Sequence, residues 1–265
     1  MNNPKNPPPS KKFLDWLSAE LSERMSEKLS LVKISPIQIF ELEPRSGQGL
    51  KILHRMHPGS KLFSSPGSHY GFLDLLGNLF NKGVPKHRPV AKSSTEKFEL
   101  ANAQMDLFWA SSWCFGHQDP WQEQIKEWRR LLKLDGLLMF SYLGPDTAKE
   151  FRNFPGCNSL LGVDMHDMGD VLVKSGFGDP VMDMEYVTLT YSNKDLFLND
   201  AISLGIFGDH PKMADLLTFA ESIKDMNGGW HLTLELVYGH AWAVNLRTPG
   251  IAMIKPEDIV LKAKQ

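Results

Sequence analysis

The chain has 265 residues, of which 42% are hydrophobic and 23% charged, and its formal net charge is −2. This composition is typical of a globular chain long enough to bury a sizeable core. The near-neutral charge gives no broad attraction to nucleic acid or to an anionic membrane, so we expect neither as a partner.

The cysteines and the chain ends indicate where the protein works. Cys114 and Cys157 are 43 residues apart and belong to no CxxC pair, so we expect neither a disulfide framework nor a cysteine metal site. No stretch has the roughly 18 apolar residues of a membrane span, and the first residues lack the apolar core of a signal peptide. We therefore expect a cytoplasmic protein. Residues 1 to 12, rich in Pro, Asn and Lys, predict a flexible tail, and residues 13 to 265 a single domain.

The first half of the chain predicts a helix followed by a buried strand. Apolar residues recur at helical spacing from Phe13, which predicts a helix that ends before Pro36 and allows a break near Ser22. The short apolar run between Pro36 and Pro44 predicts a buried strand. A helix over 50–56 and a weak strand over 61–65 follow, whereas residues 64–94 show little pattern.

Strands and helices alternate through the second half, which predicts an α/β fold. Strands are predicted over 105–110, 137–141, 181–191 and 233–245, and helices over 121–132 and 164–175. Between the last two strands, residues 192–230 carry apolar residues in helical groups. We expect this segment to form a helical lid or subdomain.

Three stretches of the chain resemble the malonyl-acyl-carrier-protein methyltransferase family of biotin synthesis. They are residues 127–147, residues 164–170 with 176–185, and residues 238–242. The resemblance covers most of residues 100–247, whereas residues 35–95 match only in outline. It implies the Rossmann-like class I fold of enzymes that use S-adenosylmethionine (SAM): a mostly parallel sheet whose last strand, here 233–245, is antiparallel.

The resemblance also implies a site for SAM after the first strand, and this chain departs from it. The family places an acid there and then the loop Asp-Leu-Gly-x-Gly-x-Gly, whose glycines let the backbone approach the donor. Matched in order, Glu41 takes the acidic place, Glu43 and Arg45 the first two glycine places, and Gly47 the third. Glu43 adds bulk and negative charge, and Pro44 removes an N–H and is expected to push Glu43 toward an extended backbone.

Two further donor contacts of the family are altered. Pro66 stands where the family has an acid for the ribose hydroxyls, and no Asp lies between residues 59 and 73. Ser111 lies in a loop where the family has Ser-Asn-Leu, so we count it in the altered donor site. The resemblance therefore implies that SAM is the cofactor, and these residues predict a degraded site for it.

Other candidate residues have two interpretations each. Tyr238 and His240 share one face of a strand, and they either line a substrate pocket or pack beneath the lid. The cluster Asp164, His166 and Asp167 favours a helix N-cap over a metal or acid–base site. The basic group Arg129, Arg130 and Lys133, finally, is either a solvated helix face or a docking surface for an acidic acyl carrier protein.

Two functions stay open, and no catalytic residue is assigned. The first is an active SAM-dependent O-methyltransferase that acts on a malonyl thioester of acyl carrier protein. The second is a non-catalytic protein that keeps the methyltransferase fold for binding or assembly. We favour the second because a fold does not imply an activity and three donor contacts are altered.

Overall fold

A seven-stranded mixed sheet organises the protein in a computed structural model that describes residues 11–65, 86–90, 97–113, 121–157, 162–207 and 211–245. The strand order is β3-β2-β1-β4-β5-β7-β6. The strands are β1 Gln38–Glu41, β2 Lys61–Ser64, β3 Arg88–Pro89, β4 Met105–Trp113, β5 Leu132–Leu143, β6 Phe177–Tyr191 and β7 Trp230–Ala243. Strands β1 to β5 pair in parallel, whereas β7 is antiparallel to both β5 and β6. The predicted fold, including the antiparallel last strand, is confirmed.

Helices cover both faces of the sheet. They are α1 Lys11–Ser30, α2 Gln48–Met56, α3 Trp121–Leu131, α4 Met165–Lys174, α5 Lys194–Ser203 and α6 Met213–Ser222, with a short 3-10 helix at Lys149–Phe151. One face packs its apolar side chains against α1, α2, α5 and α6, and the other against α3 and α4. None of the helices within the described ranges is long and apolar enough to span a bilayer.

Helix α1 is continuous, so the break allowed near Ser22 does not occur. Its buried residues Phe13, Leu17, Leu21, Met25 and Leu29 recur every four residues and form one apolar stripe. The Ser22 hydroxyl donates to the carbonyl of Ser18, which satisfies it within the helix. The helix also begins at Lys11, inside the predicted tail, while residues 1–10 lie outside the described residues.

The predicted lid segment contains α5 and α6, which lie between β6 and β7 in the chain. Their aromatic side chains pack against the 3-10 helix and the start of β7: the Phe197 ring lies 5.2 Å from that of Phe151 and 6.2 Å from that of Trp230. The helical content of residues 192–230 thus agrees with the prediction, and its role as a lid stays a prediction.

The register of the sheet places one row of residues where the parallel strands approach their carboxyl ends. Glu41 of β1 pairs with Ser64 of β2 and with Trp109 of β4. Trp109 pairs with Met139 of β5, which in turn pairs with His240 of β7. Paired residues point to the same face of a sheet, so Glu41, Trp109 and His240 lie level with one another on the face that α1 and α2 cover. Ligands of open α/β sheets bind at this edge.

Candidate functional site

The loop between β1 and α2 keeps a glycine-like backbone at a residue that is not glycine. Glu43 has φ 48°, and Gly47, at the N-cap of α2, has φ 67°. Both values lie in the left-handed region that favours glycine. The expectation that Pro44 holds Glu43 extended is wrong, because the Glu43 N–H turns to donate to the Ser65 hydroxyl at 2.7 Å and Pro44 is buried. The exposed side chain of Glu43 therefore stands at the first glycine place of the motif on a left-handed backbone.

The other altered residue of this loop contacts α1. The Arg45 guanidinium lies 3.8 Å from the Asp15 carboxylate. Three residues later, the Gln48 side-chain amide donates to the Glu23 carboxylate at 2.6 Å. Helix α1 therefore lies along the loop and the first turn of α2, where the predicted donor site would open.

The same helix closes the end of β4. The Ser22 hydroxyl, which donates to the Ser18 carbonyl, can accept from the Ser111 hydroxyl at 2.9 Å. Ser141 of β5 donates to the Ser111 carbonyl at 2.6 Å. Ser111 is only 3% exposed. Ser111 lies within β4 and not in the predicted loop, because β4 extends to Trp113. It bonds to α1 and β5, and presents little surface to solvent.

Glu41 is a fully buried carboxyl group at the end of β1. It is 1% exposed, and burial raises its pKa to about 8. Its Oε2 has no hydrogen-bond partner among the described residues, and neither has Nε1 of the neighbouring Trp109. Both groups adjoin Gly49 in the first turn of α2, where a β-carbon would lie 1.9 Å from Glu41 Oε1 and 3.2 Å from Trp109 Nε1. Only glycine leaves room here for the acid.

The residues that the structure describes at the carboxyl ends of β1, β2 and β4 are buried. Glu41 and Ser64 are each 1% exposed, and Ser65 and Ser111 are each 3% exposed. A cofactor the size of SAM binds in a concave, mostly preformed cleft, whose lining is accessible when the cleft is empty. These four residues present almost no surface to a ligand. Pro66 and the rest of the altered loop after Trp113 lie outside the described residues.

Tyr238 and His240 occupy one face of β7, as predicted. Tyr238 is 2% exposed and packs beneath α1, where the Lys28 ammonium lies 4.7 Å from the centre of its ring. Burial raises the pKa of the Tyr238 hydroxyl and lowers that of the half-buried His240 imidazole. The sequence allowed two interpretations, a substrate pocket or packing beneath the lid, and neither included α1 as the element that covers Tyr238. A role of Tyr238 or His240 in binding a substrate stays a prediction.

The acidic cluster at Asp164 is a helix cap. The Asp164 carboxylate accepts a hydrogen bond of 2.8 Å from the His166 N–H at the start of α4, which also lowers the Asp164 pKa. The N-cap interpretation is confirmed. In the part of the chain that the structure describes, no group of three or more His, Cys, Asp or Glu could hold a metal ion.

The basic group of Arg129 and Arg130 on α3 with Lys133 on β5 is not a freely solvated face. The Arg129 guanidinium donates to the carbonyls of Gly176 and Val244 at 2.8 and 2.7 Å, which joins α3 to the turn before β6 and the end of β7. Arg130 pairs with Glu127 at 2.6 Å, and Lys133 pairs with Asp106 at the same distance. The solvated-face interpretation is therefore wrong, and a role of these residues in docking stays a prediction.

Residues of α1 are the part of this site that the sequence did not predict. Asp15, Ser22 and Glu23 contact the donor loop or Ser111, yet they belong to a helix placed far from the loop in the chain. One signal was present: Ser18, Ser22 and Ser26 recur every four residues beside the apolar stripe and are all buried. Small polar side chains at this spacing indicate close contact with polar groups of another element.

Comparison with curated proteins identifies similar chains of one name. A malonyl-[acyl-carrier protein] O-methyltransferase of Gallionella capsiferriformans is 33% identical over 271 residues, which cover 90% of this chain and 89% of the relative. A protein of the same name from Nitrosospira multiformis is 30% identical and covers 91% of this chain and 86% of its own. No model of a protein family matches the chain.

Solved structures share the fold at low sequence identity. A protein of Bacillus halodurans, described as a putative methyltransferase, matches with a TM-score of 0.59 at 10% identity, over 86% of this chain and 100% of its own. Phosphoethanolamine N-methyltransferase 2 of Haemonchus contortus, solved with S-adenosyl-L-methionine, matches with a TM-score of 0.51 at 12% identity, over 85% of this chain and 53% of its own. At these identities the likeness establishes the fold alone.

Proposed function

The chain belongs to the malonyl-[acyl-carrier protein] O-methyltransferase family, and we propose that it is a member whose binding of SAM is impaired or lost. In this proposal the protein keeps the methyltransferase fold for a non-catalytic binding or assembly role in the cytoplasm. The relatives are named for a reaction on malonyl-acyl carrier protein. The partner that we propose is therefore an acyl carrier protein.

The burial of the described residues at this edge of the sheet supports the proposal. The donor would have to reach the ends of β1, β2 and β4, where Glu41, Ser64, Ser65 and Ser111 are at most 3% exposed. The direct hydrogen bond between Ser22 and Ser111 leaves no space for a ligand between those two side chains. These described residues do not fit SAM in this arrangement, because a ligand that contacted Ser111 would require α1 to move.

The altered loop supports the same conclusion by a separate argument. A glycine at position 43 would let the backbone approach the donor, whereas Glu43 adds a side chain with a negative charge near the place of the donor carboxylate. Like charges a few ångströms apart repel by about 1 kcal/mol in water and more near a protein surface. Arg45 would offset part of this repulsion, but it pairs with Asp15.

One observation favours the alternative, an active SAM-dependent O-methyltransferase. Glu41 Oε2 and Trp109 Nε1 are buried without partners among the described residues, although buried polar groups in proteins are nearly always hydrogen-bonded. A polar ligand that reached this place would satisfy both atoms. The alternative then requires α1 to open and the donor to bind a loop with one glycine out of three.

Methyl transfer to a malonyl thioester separates the two functions. We would incubate the protein with SAM and malonyl-acyl carrier protein and follow the mass of the carrier, with the Gallionella relative as a positive control. The proposal predicts that the relative methylates the carrier whereas this protein leaves it unchanged. Turnover by this protein at a rate within tenfold of the relative would establish the alternative.

A further inference from the structure

The positive charge of this chain is concentrated in one segment. Residues 44–95 contain eight Lys and Arg and a single acid, Asp74, whereas the other 213 residues contain 21 Lys and Arg and 30 Asp and Glu. The formal charge of −2 therefore conceals a segment of +7 within a remainder of −9. The order of the strands in the sheet shows where this positively charged segment lies in the protein.

The described part of this segment forms one flank of the protein. It comprises α2, β2 and β3, and β3 is the edge of the sheet. This part of the segment carries five exposed cations: Lys51 and Arg55 on α2, Lys61 on β2, and Lys86 and Arg88 at β3. We call the surface that these five residues form the basic flank.

Two cations of the basic flank lie close together at the β3 edge. Arg88 pairs with Phe63, two residues beyond Lys61, so the backbones of Lys61 and Arg88 are about 8 Å apart by strand geometry. Leu62 belongs to the apolar cluster on the α2 side of the sheet, so the neighbouring Lys61 points to the opposite face. Lys51 and Arg55 share the face of α2 that meets α1, since Arg55 lies 3.8 Å from Glu23.

Most of these charges have no counterion in the part of the protein that the structure describes. Among these residues, Lys51, Lys61, Lys86 and Arg88 form no ion pair, whereas Arg55 lies 3.8 Å from Glu23. The arginines of α3 differ in this respect, because their guanidinium groups bond to carbonyls and to Glu127. An unpaired group of like charges raises the free energy of the folded protein, and an anionic partner relieves it.

We propose that the basic flank is the docking surface for a small acidic protein domain, which in this family is the acyl carrier protein. This inference rests on the proposed function only for the identity of the carrier. The partner would lie along the β3 edge, with acids contacting Lys61, Lys86 and Arg88. The flank also adjoins the donor loop, since Ser65 follows β2 directly and bonds to Glu43.

The charge distribution favours a small acidic protein over nucleic acid. Charges interact over about 8 Å at physiological salt, so a compact partner contacts the flank without meeting the acidic remainder. A long polyanion would extend beyond the flank and be repelled by the remaining −9 charges.

Charge reversal tests the surface directly. The double variant Lys61→Glu/Arg88→Glu changes two exposed residues outside the donor loop, and we would measure its affinity for malonyl-acyl carrier protein and for the apo carrier. The matched control is Lys174→Glu/Lys212→Glu, which makes the same change in net charge at exposed residues of α4 and at the N-terminus of α6. Circular dichroism and the melting temperature would verify that all three proteins are folded.

The proposal predicts at least tenfold weaker binding by the flank variant at low salt, and a change within twofold for the control, because charges at an interface mainly alter the association rate. If both variants bound the carrier equally weakly, the loss of affinity would be due to the change in net charge and not to the basic flank, and the proposal would be overturned. Absence of carrier binding by the natural chain, or tighter binding to duplex DNA or anionic vesicles, would also overturn it. A SAM titration of the same proteins tests the donor site separately, so either inference can fail without the other.

Discussion

The carboxyl group of Glu41, at the end of β1, lies directly on the α-carbon of Gly49 in the first turn of α2. A β-carbon at position 49 would approach Glu41 Oε1 to 1.9 Å. Glu41 cannot turn away easily, because it is 1% exposed and enclosed by the core. A residue of the predicted donor site thus contributes to packing between β1 and α2.

We predict that Gly49→Ala destabilises the protein although alanine favours helices. Overpacking of a core typically costs about 1–3 kcal/mol, and the helix propensity of alanine returns about 1 kcal/mol. The net loss in the free energy of unfolding should be up to about 2 kcal/mol by urea denaturation. Gly59→Ala is the control, since nothing lies within 4 Å of a β-carbon there, and it should change stability by less than about 0.5 kcal/mol.

The effect should shrink when the Glu41 side chain is shortened. In a Glu41→Ala background only Trp109 Nε1, at 3.2 Å, remains close to a β-carbon at position 49, so Gly49→Ala should cost at least about 1 kcal/mol less than in the natural protein. Destabilisation of the same size in both backgrounds would show that the contact with Glu41 is not the cause.

The raised pKa of Glu41 predicts a pH dependence of stability. Burial raises this pKa from its ordinary value of 4.5 to about 8, so between these values the folded protein holds a proton that the unfolded chain has released. Stability contributed by Glu41 is present below pH 4.5, falls as the pH rises toward 8, and is constant above it. Glu41→Gln is neutral at all pH values, so its stability relative to the natural protein should rise from about pH 5 to about pH 8.

Denaturation of both proteins at about pH 5, 6.5 and 8 measures this difference, and the maximum slope for one group is about 1.4 kcal/mol per pH unit. His57 and His240, whose pKa values burial lowers, titrate in both proteins and cancel in the comparison. Parallel stability curves would mean that Glu41 is ionised in the fold and has a partner.

The alternation of strands and helices was enough to predict the sheet and its antiparallel last strand, because this pattern depends on local apolar spacing. The geometry at Glu43 was not predictable in the same way. A residue before proline generally prefers an extended backbone, which is the conformation expected of Glu43. In the structure Glu43 has φ 48°, and its N–H donates to the hydroxyl of Ser65, 22 residues later in the chain. A tertiary hydrogen bond outweighed a local preference.

We predict that Glu43→Gly stabilises the protein. A left-handed backbone costs a residue other than glycine about 1–2 kcal/mol, and the greater freedom of glycine in the unfolded chain offsets about 0.5–1 kcal/mol. The net gain should be about 0.5–1 kcal/mol in chemical denaturation. Glu43→Ala removes the same carboxylate but keeps the strained backbone, so an equal gain in both variants would attribute the effect to charge.

Arg129 should matter for stability. Its guanidinium joins the end of α3 to the carbonyls of Gly176 and Val244, and hydrogen bonds to charged groups contribute about 1.5–3 kcal/mol. We expect Arg129→Ala to lower the free energy of unfolding by that amount. The control is Lys126→Ala on the same helix, which removes an exposed ion pair with Glu123 and should change stability by less than about 1 kcal/mol. A loss at Arg129 no larger than at Lys126 would restore the solvated-face interpretation.

The cover formed by α1 shows why the candidate site was only partly predictable. The loop residues Glu41, Glu43, Arg45 and Gly47 lie within one short stretch, so a motif identifies them. The contacts of Arg45 with Asp15 and of Ser111 with Ser22 join positions 30 and 89 residues apart. Nothing in the local pattern of either segment specifies such a partner.

Calorimetric titration of the natural protein with SAM tests the central claim most directly. The Gallionella relative serves as the positive control, and Glu43→Gly/Arg45→Gly with Pro66→Asp tests whether the lost contacts can be restored. We predict saturable binding by the relative, and no binding by the natural chain or a Kd at least a hundredfold weaker, which is about 2.7 kcal/mol. Micromolar binding of SAM by the natural protein would contradict the account.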